Sequence, residues 1–176
     1  VDLKPVRIQG IGEAEELFGA EETANEMIAV YLFDETEILR YRQEINDQKM
    51  VAGLIYLDNY DEALESVEEV RRSLLTALID RKINKYISGM NGITKKLEKD
   101  KYFFAIKQRY VQELRDNRFS LLEEVKTVNI GNEMAVTLSI GLGMGGETYG
   151  QNYEFSRMAI DMALGRGGDQ AVIKSA

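Results

Sequence analysis

Residues Val51-Ala-Gly-Leu-Ile-Tyr-Leu57 run without a charged side chain and then empty into Asp58-Asn-Tyr-Asp61. A run of this kind, apolar but for the Tyr56 hydroxyl, must be covered on both faces. It therefore reads as a buried central strand, and the rest of the chain has to supply its neighbours and its helices. In open α/β sheets ligands gather beyond the carboxyl ends of the strands. That rule makes Asp58, Asn59 and Asp61 the first candidate site residues.

The flanking pattern supplies those neighbours. Val6 to Gln9 and Met27 to Phe33 read as two strands joined by an acidic connection from Gly12 to Glu26, too few to bury a core alone. This pair is expected to be the end of a domain or to find a partner elsewhere. Asp34 or Thr36 then offers an N-cap to a helix from Glu35 to Gln48, with Ile38, Tyr41 and Ile45 on one face. After the central strand, Tyr60 to Tyr86 reads as one amphipathic helix whose stripe is Leu64, Val67, Val70, Leu74, Leu78 and Ile79, stopped by Gly89 and Gly92. Ile93 to Glu98 and Lys101 to Lys107 form a hairpin around Glu98-Lys-Asp100, and Tyr102, Phe103 and Phe104 place aromatics on both of its faces. Tyr110 to Val128 is helical, with a break at Asp116-Asn117 and a capping box of Ser120 with Glu123. Met134 to Leu142 is a strand, Gly143 to Gly150 a loop, Phe155 to Leu164 a short helix stopped by Gly165, and Gln170 to Lys174 a last strand. The expected fold is α+β, a mixed sheet flanked by helices in the order β-α-β-β-α-β-α-β from residue 51.

Composition narrows the chemistry. The 176 residues hold 30 acids against 22 bases, a net charge of −8, which argues against a nucleic-acid surface because phosphates need a surplus of Lys and Arg. No apolar run reaches the roughly 20 residues of a bilayer crossing, so no direct membrane contact is expected of this segment. There is no Cys, which fits a reducing compartment, and no His, which excludes serine-histidine and His-zinc schemes and leaves Mg²⁺ on Asp and Glu as the metal chemistry open to it. Gly141-Leu-Gly-Met-Gly-Gly146 satisfies the dinucleotide pattern Gly-x-Gly-x-x-Gly, but near the end of the chain rather than at the head of a βαβ unit. Its glycines are expected to shape a loop.

Ile55-Tyr-Leu-Asp-Asn-Tyr60 and Val136-Thr-Leu-Ser-Ile-Gly-Leu142, in this order of elements, resemble the GGDEF domain of diguanylate cyclases, whose motifs read Asp-x-Asp-x-Phe and Thr-x-Ser-x-Gly. The resemblance implies a nucleotidyl-cyclase-like, ferredoxin-like sheet. At the hairpin this chain reads Leu97-Glu-Lys-Asp-Lys-Tyr102, so Glu98 and Lys99 stand for the family's two glycines. The two acids that would hold Mg²⁺ on the triphosphate become Tyr56 and Lys101, and the guanine-reading Asn becomes Leu64. Cyclic-di-GMP synthesis is therefore not expected. Leu57-Asp-Asn-Tyr-Asp-Glu62, Arg118-Phe-Ser-Leu-Leu122, Ser139-Ile-Gly-Leu-Gly143 and Ala163-Leu-Gly-Arg-Gly-Gly-Asp-Gln-Ala-Val172 look like the narrower group of GdpP-type (YybT) cyclic-di-AMP phosphodiesterases. That architecture implies a bacterial membrane-anchored parent with a PAS domain, a degenerate GGDEF domain and a DHH/DHHA1 module.

On that resemblance, residues 1–34 are the C-terminal part of a PAS-like domain, 35–49 a connecting helix and 50–176 the degenerate GGDEF domain, on the cytoplasmic side. Mn²⁺ with its Asp and His ligands belongs to the DHH module, so cyclic-di-AMP hydrolysis cannot reside in a chain without His. What remains is a regulatory domain that binds a nucleotide, ATP or a cyclic dinucleotide, and relays to its own PAS and DHH/DHHA1 modules. Two alternatives stand beside it: a slow ATPase using Asp58 and Mg²⁺, and a homodimerising spacer with no ligand. The candidate metal pair is Asp58 with Asp100, the bland reading being a helix cap and a turn residue. Candidate nucleotide contacts are Asn59, Asp61 and the tract Gly165, Arg166, Gly167, Gly168, Asp169, Gln170, which follows a helix rather than leading into one and holds more glycine than a helix stop needs.

Overall fold

Strand β3 (Met50–Leu57) is the middle of a five-stranded sheet, with neighbours on both edges and helices on both faces, as its apolar run requires. The computed structural model of this chain describes the backbone of residues 2–8 and 27–176, and side chains from residue 33 onward. Gln9 and the connection from Gly12 to Glu26 lie outside the described residues.

Two compact units are present, residues 1–45 and 46–176. In the first, β1 (Asp2–Ile8) and β2 (Met27–Phe33) pair antiparallel, with Asp2 opposite Phe33 and Ile8 opposite Met27. Helix α1 (Thr36–Gln48) starts where expected. Its first turn is anchored by Asp34 Oδ1, which accepts the Thr36 N–H at 3.0 Å. The Thr36 hydroxyl first, and this N–H second, hold the Asp34 carboxyl below the usual carboxylate range.

In the second unit β4 (Ile93–Lys96), β5 (Lys101–Lys107), β6 (Leu138–Met144) and β7 (Ala171–Ser175) join β3 in the order β4-β5-β3-β6-β7. All neighbours are antiparallel except β6 and β7, which run parallel. The first four strands have the ferredoxin-like order expected, and β7 adds a parallel edge. One face carries Val51, Ile55, Tyr102, Phe104, Leu138 and Ile140 into the main core.

The helices on that face depart from expectation. The single helix expected over Tyr60 to Tyr86 is two, α2 (Tyr60–Glu65) and α3 (Glu69–Gly89). Ser66 Oγ donates back to the Ala63 carbonyl at 2.7 Å, a local bond that competes with helix continuation, and Glu68 is extended with ψ 139°. The interruption resets the helical phase. Leu75, Ile79, Ile83 and Ile87 face the core, while Val70 and Leu74 of the expected stripe are 91% and 51% exposed.

The Asp116-Asn117 break is present, between α4 (Val111–Asp116) and α5 (Leu121–Lys126), with Arg118 and Phe119 at φ 53° and 54°. The Ser120–Glu123 capping box does not form. Ser120 is already helical, its Oγ donates to Glu124 Oε1 at 2.9 Å, and Asn117 Oδ1 accepts its N–H at 3.2 Å.

The opposite face is covered by α6 (Tyr149–Gly165), longer than the expected Phe155 to Leu164. Thr148 caps it, accepting the Gln151 N–H at 3.1 Å. A Cβ on Gly143 would lie 1.9 Å from the Asn152 carbonyl, and one on Gly141 would lie 2.5 Å from the Ile160 nitrogen. Gly145, at φ 77°, and Gly146 lie in the loop between β6 and α6 as expected, but Gly141 and Gly143 do not. They sit in β6 and let the backbone of α6 rest on the strand, while Gly146 donates its N–H to Asn152 Oδ1 at 2.8 Å.

Candidate functional site

At the carboxyl end of β3 the chain turns at Asp58, a partly buried residue between β6 and the tract that follows α6. Its Oδ1 accepts the Ser139 hydroxyl at 2.7 Å and its Oδ2 accepts the Asp169 N–H at 2.8 Å. Ser139 is fully buried, so the carboxylate satisfies a hydroxyl that has no access to water. Asp58 is thus neither the helix cap of the bland reading nor an open ligand. It is a clasp between β3, β6 and the glycine tract.

That tract owes its composition to the clasp. The Gly167 and Gly168 N–H groups close the α6 C-terminus on Leu164 and Ala163 at 2.9 and 3.1 Å. Gly167, Gly168 and Asp169 follow in succession at φ 104°, 77° and 52°, a left-handed run that side chains resist. A Cβ on Gly168 would meet Asp58 Cγ at 2.8 Å, so this glycine is what allows the approach. Gln170 Nε2 donates to the Ala163 and Gly168 carbonyls at 3.2 and 3.3 Å, and its carbonyl accepts the Ile140 N–H at 2.9 Å. Asp169 Oδ2 lies 2.7 Å from Lys126 Nζ, which also meets Glu123, and these partners raise the Lys126 pKa. Arg166 is exposed, its N–H closing on the Ala163 carbonyl at 3.2 Å, and Gly165 is the last residue of α6 with open space beside it.

Asn59 and Asp61 do different work. Asn59 donates Nδ2 to the Ala135 carbonyl at 2.8 Å and accepts the Thr137 N–H at 3.0 Å, binding the approach to β6 as a strand would. Asp61 pairs with Lys99 at 2.6 Å across a surface where both are over half exposed. Asp100 gives its carbonyl to the Leu57 N–H at 2.9 Å, fixing the hairpin turn to the end of β3. Among the described residues no group of three or more His, Cys, Asp or Glu side chains gathers as a metal cluster. The expected Asp58 and Asp100 metal pair therefore meets an Asp58 whose two oxygens are already engaged within the protein.

One step back along β3, Tyr56 lies opposite Lys101 on β5 and opposite Ser139 on β6. The Lys101 ammonium sits 5.4 Å from the centroid of the Tyr56 ring, a cation–π contact, and 2.9 Å from Glu98 Oε2. Burial raises the Tyr56 pKa although Lys101 opposes it, so the ring is neutral at ordinary pH. Lys101 is raised by its Glu98 hydrogen bond and is an ammonium. The hairpin is pinned further to α3, where the Asp80 carboxylate accepts the Tyr102 hydroxyl and binds Lys96 at 2.9 Å.

Ser139 and Lys126 were missed as site residues. The Thr-x-Ser spacing carried a signal for the serine, since it places that hydroxyl on the strand beside β3. Lys126 had none, because its link to Asp169 spans 43 positions.

A family model described as cyclic-di-AMP phosphodiesterase GdpP-like, GGDEF domain, matches residues 55–176. The chain is similar to the cyclic-di-AMP phosphodiesterase GdpP of Geobacillus thermodenitrificans, 30% identical over 145 residues, and to that of Bacillus subtilis, 28% identical over 145 residues. It is also 30% identical over 145 residues to the cyclic-di-AMP phosphodiesterase PdeA of Listeria monocytogenes. Each match covers 82% of this chain but 22% of the relative, so the chain spans about a fifth of those proteins. Among solved structures, the active GGEEF domain of a diguanylate cyclase from Vibrio cholerae aligns with TM-score 0.61 at 13% identity, covering 78% of this chain and 88% of that one. The GGDEF domain of DgcB from Caulobacter crescentus, in complex with c-di-GMP, aligns with TM-score 0.60 at 12% identity, covering 79% and 84%. At such identities the likeness is one of fold.

Proposed function

This chain belongs to the GGDEF-domain family of GdpP-like cyclic-di-AMP phosphodiesterases, and from that premise we propose that it is a degenerate, regulatory member and not a diguanylate cyclase. The observation that carries this reading is the Tyr56–Lys101 pair. Two-metal catalysis needs carboxylates to hold both ions on the triphosphate. The positions that the resemblance assigns to those carboxylates hold a neutral ring and an ammonium in contact with each other, and a divalent ion has nothing to bind there and a like charge to face.

Weak nucleotide binding is the remaining role, with the signal passed to a phosphodiesterase module of the longer parent. On this reading residues 1–34 end a PAS-like domain of a membrane-anchored protein, and α1 connects it to the GGDEF domain. The Asp58 clasp supports signal transfer better than catalysis, because it ties the end of β3 to the end of α6, the last helix of the domain.

Calorimetric titration with ATP, GTP and cyclic di-AMP, with and without Mg²⁺, tests the proposal. Heat of binding without turnover is the expected result. Cyclic di-GMP formed from GTP would refute it, and steady ATP hydrolysis abolished by Asp58→Asn would favour the slow ATPase instead.

A further inference from the structure

Helix α6 rests on β6, β3 and β7 and leaves the β4 and β5 side of that sheet face open. A groove of about 300 Å³ runs there, floored by Ala52, Phe103 and Ala105, walled by Tyr149 and Tyr153 of α6, and edged by the exposed Ile93. Phe103 and Tyr153 meet edge to face with their centroids 6.0 Å apart, a contact that uses one ring face and leaves the others for a flat ligand. Met50, Tyr149 and Asn152 also line a second hollow of about 420 Å³ at the start of α6, so the two are continuous. This second part is polar, with Lys49, Gln108 and Thr148 in its wall and the exposed Glu147 on its rim. Both volumes fall in the range of small-molecule sites.

Charge identifies the kind of flat ligand. The chain carries −8 overall, yet β4 and β5 hold Lys95, Lys96, Lys101 and Lys107 and no acid. Lys95 stands opposite Phe103 and Lys107 opposite Met50. Directly opposed residues share a face of the sheet, so both ammonium groups border the groove. Lys49 and Lys95 enter no ion pair among the described residues. An anionic planar molecule suits lysines gathered round an aromatic wall. A second copy of this acidic chain would add repulsion, and a polynucleotide needs basic surface along many phosphates.

We propose that this composite groove binds a single nucleotide, its base against Phe103 and Tyr153 and its phosphates in the polar hollow beside Lys49. The proposal rests on the nucleotide-binding reading above and gives it a place at the opposite end of the sheet from Tyr56 and Lys101. Met50 and Tyr56 are six residues apart on β3, about 20 Å. Lys49 is the single residue between α1 and β3, so a nucleotide held there touches the joint through which α1 enters the domain.

The test is calorimetric titration of the intact 176-residue chain with ATP, paired with spectra of the chain labelled at its alanine methyl groups. The Ala52 and Ala105 methyls on the groove floor should shift upfield under the ring current of the base, and Ala63, in the main core, should not. Tyr153→Ala should weaken ATP about tenfold, while Tyr153→Phe keeps the ring and the affinity. Lys49→Glu should also weaken it about tenfold at low salt and less at high salt. Glu147→Gln should tighten it about twofold to threefold. Adenosine should shift the same two methyls without sensing Lys49, and inorganic triphosphate should compete with ATP while shifting neither. ATP that binds with both methyls unmoved, or with an affinity indifferent to Tyr153→Ala and Lys49→Glu, would overturn this site and leave the nucleotide reading standing. No heat and no shift with ATP, GTP or cyclic di-AMP would overturn both.

Discussion

Replacing Gly168 by alanine attacks the clasp at the point where two requirements coincide. The residue sits at φ +77°, and the new methyl would lie 2.8 to 3.0 Å from the three carboxyl atoms of Asp58. Left-handed backbone costs an L-residue about 1 kcal/mol or slightly more. Pushing the carboxylate away loses its hydrogen bonds from Asp169 N–H and the buried Ser139 hydroxyl, and a hydrogen bond to a charged group contributes about 1.5–3 kcal/mol. With both bonds lost the sum is about 4 kcal/mol or more, a fall of roughly 10–15 °C in Tm for a domain of this size. Gly165→Ala is the control, since no atom lies within 4 Å of its Cβ position and it belongs to α6. That change should be neutral or stabilising by up to about 1 kcal/mol. Urea denaturation gives both values, with an unchanged m expected, and hydrogen exchange should show lost protection at the Asp169 amide in the first variant only. If the two variants agree to within about 0.5 kcal/mol, the clasp does not stabilise the domain and the reasoning fails.

Gly143→Ala should destabilise by about 3 kcal/mol or more or prevent folding, because its Cβ would lie 1.9 Å from the Asn152 carbonyl of α6; circular dichroism during urea titration measures this. Thr148→Ala removes the α6 cap and should cost about 1 kcal/mol in the same titration. Burial and the hydrogen bond to Asp80 raise the Tyr102 pKa far above its ordinary 10.0, so its contribution is full below pH 10 and is lost as the unfolded chain ionises above it. Stability should therefore fall as pH rises beyond about 10, and Tyr102→Phe should flatten part of that slope when melting is followed against pH.

The residues that organise the fold were largely legible. An unbroken apolar run can occupy a sheet of this kind only at its centre, and the polar Glu98 to Asp100 turn between two strand patterns allowed little but a hairpin. The phase of α3 was not legible, because Ser66 ends α2 through a bond to its own helix, and a window that averages across the interruption sees one stripe where there are two. The first turns of α6 escaped for a different reason. They pack through Asn152, buried and bonded to the Met50 carbonyl at 2.9 Å, and through the glycines beneath, so the apolar period that reveals a helix is missing. At the site, Asp58 stood out in the sequence, but its partners are a main-chain N–H 111 positions away and a strand serine. Residue type identifies an acceptor; only the fold says whether a metal or the protein itself occupies it.

Diffraction from crystals soaked in GTP and Mn²⁺, with anomalous scattering used to locate the ions, addresses the central claim most directly. With Tyr56 and Lys101 in contact at the end of β3 and the start of β5, no pair of metal peaks should appear between those strands, whether or not nucleotide is bound. Two manganese ions bridging a triphosphate there would contradict the account.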